Sequence, residues 1–462
     1  MNVYDSAQIL LRLAPMGYVE TATLEKADLV IVNTCTIRAK AEQKAFSFLG
    51  RTADLKKKNP KLIVAIGGCV AQQEGAKIIK RAPYVDLVFG TRAIGRLPAM
   101  VARIEAKRCR VVDVETTEEI SEVAPQALNN DDTPVARFVT IMRGCDNYCT
   151  YCVVPYVRGG ERSRRPETIV AEVKRLVESG VKEITLLGQN VNSYGQKEGL
   201  CSFAELLGLV HQIEGLARIR FTTSHPKDLS ADLMAAFTEL PKLCTHIHLP
   251  VQSGSDRVLR RMHRKYTSGD YRKKVKQLRS ICPEIAITSD FIVGFPGETE
   301  ADFEQTLSLM ATVEFDGVFA FKYSDRDIAP AARFKDKVAE DEKDRRLQVL
   351  LDLQGKYTLK KNKALMGKIE LILIEGLSKR QTVATMVKEN GPMQWSGRTS
   401  SNKIVNCTSA VNSAQPPGQV PVLVGRILPV KIEKAFAHSL KGRFVSETQV
   451  LSGINGGHNH AV

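Results

Sequence analysis

The sequence predicts an α/β protein in three parts: an N-terminal open parallel α/β domain, a central partial (β/α) barrel and a small C-terminal β-barrel. Three observations lead there. Short apolar runs alternate with helical stretches over residues 1–112 and again over 137–363, as parallel strands joined by helices do. A polar connector spans residues 113–136, with Glu115, Glu118, Glu119, Glu122, Asp131 and Asp132 around Pro125. Beyond that, residues 364–435 carry only short β-like runs broken by Gly, Pro, Asn and Ser.

In the first part, Leu29–Val32 and Leu62–Ile66 read as strands, separated by a helical stretch from Arg38 to Lys58 that Pro60 stops. Cys35 and Cys69 then fall just past the carboxyl ends of parallel strands, the edge at which open α/β sheets place ligands. In the second part the candidate strands are 137–142, 183–187, 219–222, 246–249, 286–293 and 317–323. Helical segments such as 167–179 and 271–280 lie between them, and six such units suggest an open barrel. A basic helical stretch over 341–363 leads out. In the third part, runs at 368–374, 381–388, 419–427 and 428–435 are expected to form the small barrel. The tail, 436–462, ends in a Gly-Gly-His-Asn-His segment with little to bury.

Composition limits the function classes. Of 462 residues 43% are hydrophobic, enough for real cores, and 66 Lys and Arg against 51 Asp and Glu give a net charge of +15. Such an excess favours a polyanionic partner, most commonly nucleic acid. No apolar run is long enough to span a bilayer. Asp5 and Arg12 interrupt the first fifteen residues, so these do not read as a signal peptide. A cytoplasmic protein with no membrane partner is expected, and its ten cysteines are then metal ligands or core thiols rather than disulfides.

Three of those cysteines, Cys145, Cys149 and Cys152, lie within eight residues as Cys-x3-Cys-x2-Cys, on the loop after the first barrel strand. Soft thiolates at this spacing suit an iron–sulfur cluster or zinc. Structural zinc takes four protein ligands, and no fourth Cys or His is near. Three ligands on a 4Fe–4S cluster leave one iron open to a chelating molecule.

This spacing, with Tyr151 in the aromatic position before the third cysteine, resembles the radical S-adenosylmethionine (SAM) superfamily. The resemblance narrows to the methylthiotransferases through Asn33-Thr34-Cys35-Thr36-Ile37-Arg38, Gly67-Gly68-Cys69 and Val153 to Arg164. Further matching segments are Leu187-Gly188-Gln189-Asn190-Val191, Leu249-Pro250-Val251-Gln252-Ser253-Gly254-Ser255 and Gly294-Phe295-Pro296-Gly297-Glu298-Thr299. Arg38, Ala41, Glu42 and Lys44 favour the branch that acts on N6-isopentenyladenosine beside the tRNA anticodon. The resemblance implies methylthiolation of carbon 2 of that base and two 4Fe–4S clusters. Cys145, Cys149 and Cys152 would hold the cluster that binds SAM and cleaves it to a radical, with Tyr151 beside the cofactor. Cys35 and Cys69 would hold an auxiliary cluster carrying sulfur, and a second SAM would donate the methyl group. An electron donor and a sulfur source are implied as partners besides tRNA. The terminal barrel resembles a TRAM domain, an RNA-binding module, through Gly397-Arg398-Thr399 and Asn402-Lys403.

The family pattern has one more auxiliary cysteine two residues before the position of Met1, so an incomplete auxiliary site and a reading frame that continues upstream are expected. Arg158, Glu161 and Arg164 are candidates for contact with SAM or substrate, or for a salt-bridge network. Gln252 and Ser253 are placed on the active face of the barrel. His246 and His248 share one strand face by alternation, and His263 is a surface variant. A protein-modifying methylthiotransferase and a zinc-stabilised RNA-binding protein are the competing readings.

Overall fold

The computed structural model describes residues 1–35, 39–115, 134–378, 393–408 and 423–445. The segment carrying Thr36, Ile37 and Arg38, most of the acidic connector, the run at 381–388 and the histidine tail lie outside the described residues.

The first domain runs α1 (Asn2–Leu13), β1 (Leu29–Thr34), α2 (Ala39–Lys58), β2 (Ile63–Gly68), α3 (Cys69–Glu74), α4 (Lys77–Arg81), β3 (Leu87–Phe89), α5 (Leu97–Lys107) and β4 (Val111–Asp113). The strands form one parallel sheet in the order β1-β2-β3-β4. Every residue of β2 is buried, because a parallel sheet is covered on both faces. Ala65, Leu87 and Phe89 pack on one side with Ile9, Leu97 and Val101. Val64, Ile66 and Val88 pack on the other with Leu49 and Ile78.

The second domain runs β5 (Ala136–Thr140), β6 (Met142–Arg143), α6 (Val154–Val157), β7 (Arg162–Ser163), α7 (Pro166–Glu178), β8 (Glu183–Leu187), α8 (Phe203–His211) and β9 (Arg218–Phe221). It continues with α9 (Ala231–Glu239), β10 (His246–His248), α10 (Asp256–Arg261), α11 (Ser268–Ile281), β11 (Ala286–Val293), α12 (Glu300–Val313), β12 (Gly317–Lys322) and α13 (Glu340–Lys363). Two parallel sheets, β5-β8-β9 and β10-β11-β12, meet through a bridge from Ile219 to Leu243. The six long strands thus follow in chain order as a barrel left open between β5 and β12. Val139, Ile184, Leu186, Ile219, Ile247 and Phe291 point outward into the helix-covered core. Alternate residues line the concave face, as period-two side-chain direction requires.

Residues of two of the quoted motifs build the scaffold. Thr299 caps α12 in a reciprocal pair with Asp302, a device that satisfies otherwise unpaired amides at a helix start. Glu298 accepts from the amide of Gly294 and pairs with Arg346 at 2.9 Å, fastening α13 to the barrel. Ser255 caps α10 and bonds Asp302.

The third domain is a closed barrel of β13 (Ile369–Leu377), β14 (Gln394–Arg398), β15 (Ile404–Thr408), β16 (Ile427–Ala435) and β17 (Leu440–Phe444), in the order β13-β14-β15-β17-β16. Ile372, Ile374, Trp395, Val405, Cys407 and Val430 fill it. Its closing strand, β17, lies in the segment that the sequence reading left as tail, so the boundary at 435 cuts the barrel short. Only Leu440 and Gly442 of that strand are buried, and its polar residues hide it from an apolar-run criterion.

This barrel docks on the outer end of the central one. Arg218 donates to the carbonyls of Arg398 and Leu371, each at 2.7 Å. Arg220 donates to the carbonyls of Thr399 and Ser400 and pairs with Glu183 at 2.9 Å. Lys403 reaches Asp316 and Asn362. The segment 397–403, expected to be an RNA-reading pattern, therefore spends its buried Thr399 and its Lys403 on contact between domains.

Candidate active site at the three-cysteine loop

The loop that carries Cys145, Cys149 and Cys152 leaves β6 and returns through α6, and the short antiparallel pair β6–β7 closes its base. Gly144 opens it with φ +77°, and a Cβ there would stand 2.0 Å from the carbonyl oxygen of Gly160. Only glycine fits such a crossing. Gln189, just past β8, accepts from the Gly144 amide at 2.6 Å and ties the loop to the barrel. The loop also leans on the end of α10, since the Thr150 amide donates to the carbonyl of Met262.

Each of the three sulfurs has an N–H donor. Asn147 Nδ2 stands 3.4 Å from Cys145 Sγ, the Val154 amide 3.5 Å from Cys152 Sγ, and Arg264 Nη1 3.4 Å from Cys149 Sγ. The thiols also sense one another: burial, with Cys149 and Cys145 adding to it, pushes Cys152 up to about 12. Without metal, burial thus favours the protonated thiol at Cys145 and Cys152, whereas three thiolates with N–H donors are what an iron–sulfur cluster is held by. Among the described residues no three Cys, His, Asp or Glu side chains are grouped for a single metal ion. A cluster places each thiolate on a separate iron, so its ligands need not converge. The residues present fit that group.

Arg264 is the link that sequence reasoning missed. It is buried, donates to Pro250 O at 2.7 Å, and reaches Tyr151 Oη and Tyr266 Oη besides Cys149. A positive φ at Gln252 (75°), Thr223 (72°) and Tyr148 (47°) marks this end of the barrel. For the β-branched Thr223 the conformation costs on the order of 1–3 kcal/mol, a strain of the kind found at functional sites.

The loops after β8 and β9 carry Asn190, Asn192, Glu198, Ser224 and His225, each with a buried polar atom that lacks a partner among the described residues. The His225 Nδ1 accepts from the Lys227 amide, and burial, reinforced by Arg264 and Lys227, pushes its pKa down. The ring is therefore neutral with its proton on Nε2, a fixed donor without an acceptor among the described residues. Such orphaned groups are what a polar ligand satisfies. No sequence spacing identifies them, since they come from separate loops.

The other candidate residues divide. Arg158 pairs with Asp5 at 3.1 Å and Arg164 with Glu172 at 2.6 Å, so both are structural ion pairs between elements. Glu161 is different: burial pushes its carboxyl up to about 7, with Asp146, Asp228 and Glu198 adding to the rise and a Ser193 hydrogen bond opposing it. Ser253 Oγ bonds Thr306, and Gln252 joins β10 to β11 through Asp290 and Ile292. His246 and His248 line the concave face, bonded to Thr288. His263 is exposed, against the Tyr148 carbonyl.

Cys35 and Cys69 stand where the paired ends of β1 and β2 finish, in register from Leu29 with Ile63 to Thr34 with Gly68. Gly68 has φ +90°, and a Cβ there would lie 2.4 Å from the Thr34 carbonyl oxygen. Burial raises the Cys69 thiol, while a hydrogen bond from Arg158 opposes the rise. The Met1 amino group lies within electrostatic range of both thiols. Cys35 opens on a cavity of about 660 Å³ lined by Asn33, Lys44, Phe48 and Arg51. The structure thus brings Cys35 to Cys69 and, separately, Cys145, Cys149 and Tyr151 to Cys152.

Two family models match: the radical SAM superfamily over residues 139–310, and an uncharacterized protein family, UPF0004, over residues 1–90. A tRNA-2-methylthio-N6-dimethylallyladenosine synthase of Desulfosudis oleivorans is 53% identical over 96% of this chain and 94% of its own length. Proteins of the same name from Syntrophus aciditrophicus and Neisseria gonorrhoeae are 48% and 43% identical, over 97% and 96% of this chain and 93% and 97% of theirs. Among solved structures, the radical SAM methyltransferase TsrM of Kitasatospora setae aligns with a TM-score of 0.51 at 14% identity, over 70% of this chain and 73% of its own, a likeness of fold.

Proposed function

This chain belongs to the tRNA-2-methylthio-N6-dimethylallyladenosine synthases, a radical-SAM family, and we propose that its activity is seated at Cys145, Cys149 and Cys152. It methylthiolates the dimethylallylated adenosine of tRNA with 4Fe–4S clusters and SAM as cofactors. The observation that carries the site assignment is the loop on which three thiols each meet an N–H donor. The cluster bound there supplies the electron that turns SAM into a radical source.

The chain's own residues do the rest. Gln189 and Arg264 fix the loop against the barrel, and Tyr151 stands beside the cofactor. Asn190, Asn192, Ser224 and His225 offer hydrogen bonds to the polar parts of SAM and of the base. Glu161, near its midpoint at neutral pH, holds or releases a proton according to the charge bound beside it. Cys35 and Cys69 hold the auxiliary cluster that carries sulfur. The target lies in the anticodon loop, where a base splays out of its stack cheaply, and the enzyme acts in the cytoplasm, where tRNA is. An electron donor and a sulfur source complete the reaction.

Nucleoside analysis of tRNA from cells with and without the gene tests the function. The 2-methylthio nucleoside is expected to vanish from cells that lack it, leaving N6-dimethylallyladenosine, and an unchanged nucleoside profile would overturn it. Iron and acid-labile sulfide in anaerobically reconstituted protein test the site: Cys149→Ala should lose the SAM-cleaving cluster, whereas zinc without sulfide in the native chain would contradict it.

A further inference from the structure

The concave face of the open barrel is polar over most of its area. Glu183, Arg220, His246, His248, Thr288 and Asp290 project there, opposite to the outward core residues. An apolar strip lies on the last two strands, across the barrel opening from the exposed Phe138 of β5. Phe319 pairs in register with Asp290, and Phe321 with Ile292, so Ile292, Phe319 and Phe321 share the concave face. The alternate residues Val318 and Ala320 pack outward against the core, which fixes the direction.

Phe319 is 56% exposed, an unusual state for a phenyl ring on an inner face. Its ring is held edge-on to His248 at 6.0 Å, and His248 is in turn fixed by Thr288 and by Asp290 at 3.4 Å. At the other end of the strip, Ile292 and Tyr151 pack against the same small core of Val258, Met262, Phe295 and Tyr323. The apolar strip therefore runs from the cysteine loop down the border strand of the barrel opening.

The substrate carries one large apolar group, the five-carbon dimethylallyl arm on N6, attached to a base whose carbon 2 must reach the cysteine loop. We propose that Ile292, Phe319 and Phe321 form the subsite for that arm, with Phe319 a specificity-determining residue that separates dimethylallylated from unmodified adenosine. This rests on the function proposed above. Apolar contact is the discrimination available here, because the arm has no hydrogen-bonding group and a hydrophobic wall rewards each added carbon.

The test uses reconstituted holoenzyme and two anticodon hairpins, one bearing N6-dimethylallyladenosine and one adenosine, with dissociation constants measured for each. The native chain is expected to prefer the dimethylallylated hairpin. Phe319→Ala should lower that preference about tenfold by weakening this hairpin alone, and Phe319→Leu should restore most of it. The ring is half in solvent, so the variant is expected to fold, with a far-UV circular dichroism spectrum and melting temperature like those of the native chain. An unchanged preference in Phe319→Ala, or an equal loss on both hairpins, would overturn the subsite. If the native holoenzyme binds both hairpins equally yet forms the methylthio product, the subsite fails and the function stands. Absence of product on the dimethylallylated hairpin would instead reject the function and the subsite with it.

Discussion

Glu161 shows how much of a side chain's chemistry is set by what surrounds it. Its carboxyl is pushed from 4.5 up to about 7 by burial first, with three carboxylates nearby. A carboxyl whose folded pKa lies above its unfolded one holds its proton better in the native state. Stability from this group is therefore full at low pH and lost as pH rises from about 4.5 through about 7. Between about pH 5 and 8 the apo protein should lose up to about 3 kcal/mol relative to Glu161→Gln, read from urea midpoints. Parallel pH profiles in the two proteins would remove this account of the carboxyl. The cysteines proposed as cluster ligands stood out at this scale because cluster ligation would impose a spacing along one short loop. Arg264, Ser224 and His225 did not, because their roles depend on burial and on partners from other loops. The arginines at 158 and 164 looked alike to Glu161 in sequence and proved to be ion-paired structural residues.

At the scale of elements, apolar runs located β1 and β2 because a parallel sheet covered on both faces is built of apolar strands, while the barrel strands stood out by the apolar residues of their outward face. The expected strand at 183–187 and the one at 286–293 match β8 and β11 residue for residue, and others shift by one or two residues at their ends. The terminal barrel was less legible. Its strands bury one face only, so β14, β15 and β17 alternate too weakly to stand out. The docking arginines read as ordinary strand residues, since nothing in sequence says that Arg218 and Arg220 meet carbonyls about 180 residues away. Replacing Arg220 with alanine strands Glu183 and two carbonyls at this seam. We expect a loss of about 3–5 kcal/mol and faster proteolysis between the second and third domains. An unchanged melting temperature and digestion pattern would show that the seam does not hold the domains together.

For the whole molecule, the sequence conveyed the order of domains and the chemistry of the central one, and the structure adds how the parts converge. The amino end of the barrel strands carries the terminal barrel, while the carboxyl end carries the cysteine loop and meets the first domain through the Asp5–Arg158 pair. That pair sits beside Cys69, which Arg158 also bonds, so Cys69 is tied through Arg158 to the segment that follows the cysteine loop. The net charge of +15 suits a partner as acidic as tRNA. The central claim is that the three-cysteine loop drives methylthiolation of the dimethylallylated adenosine. It is tested most directly by incubating reconstituted native chain and Cys149→Ala side by side with a dimethylallylated anticodon hairpin, SAM and reductant, and weighing the nucleosides by mass spectrometry. The account predicts 2-methylthio-N6-dimethylallyladenosine from the native chain and none from the variant; equal product from both, or none from the native chain, would contradict it.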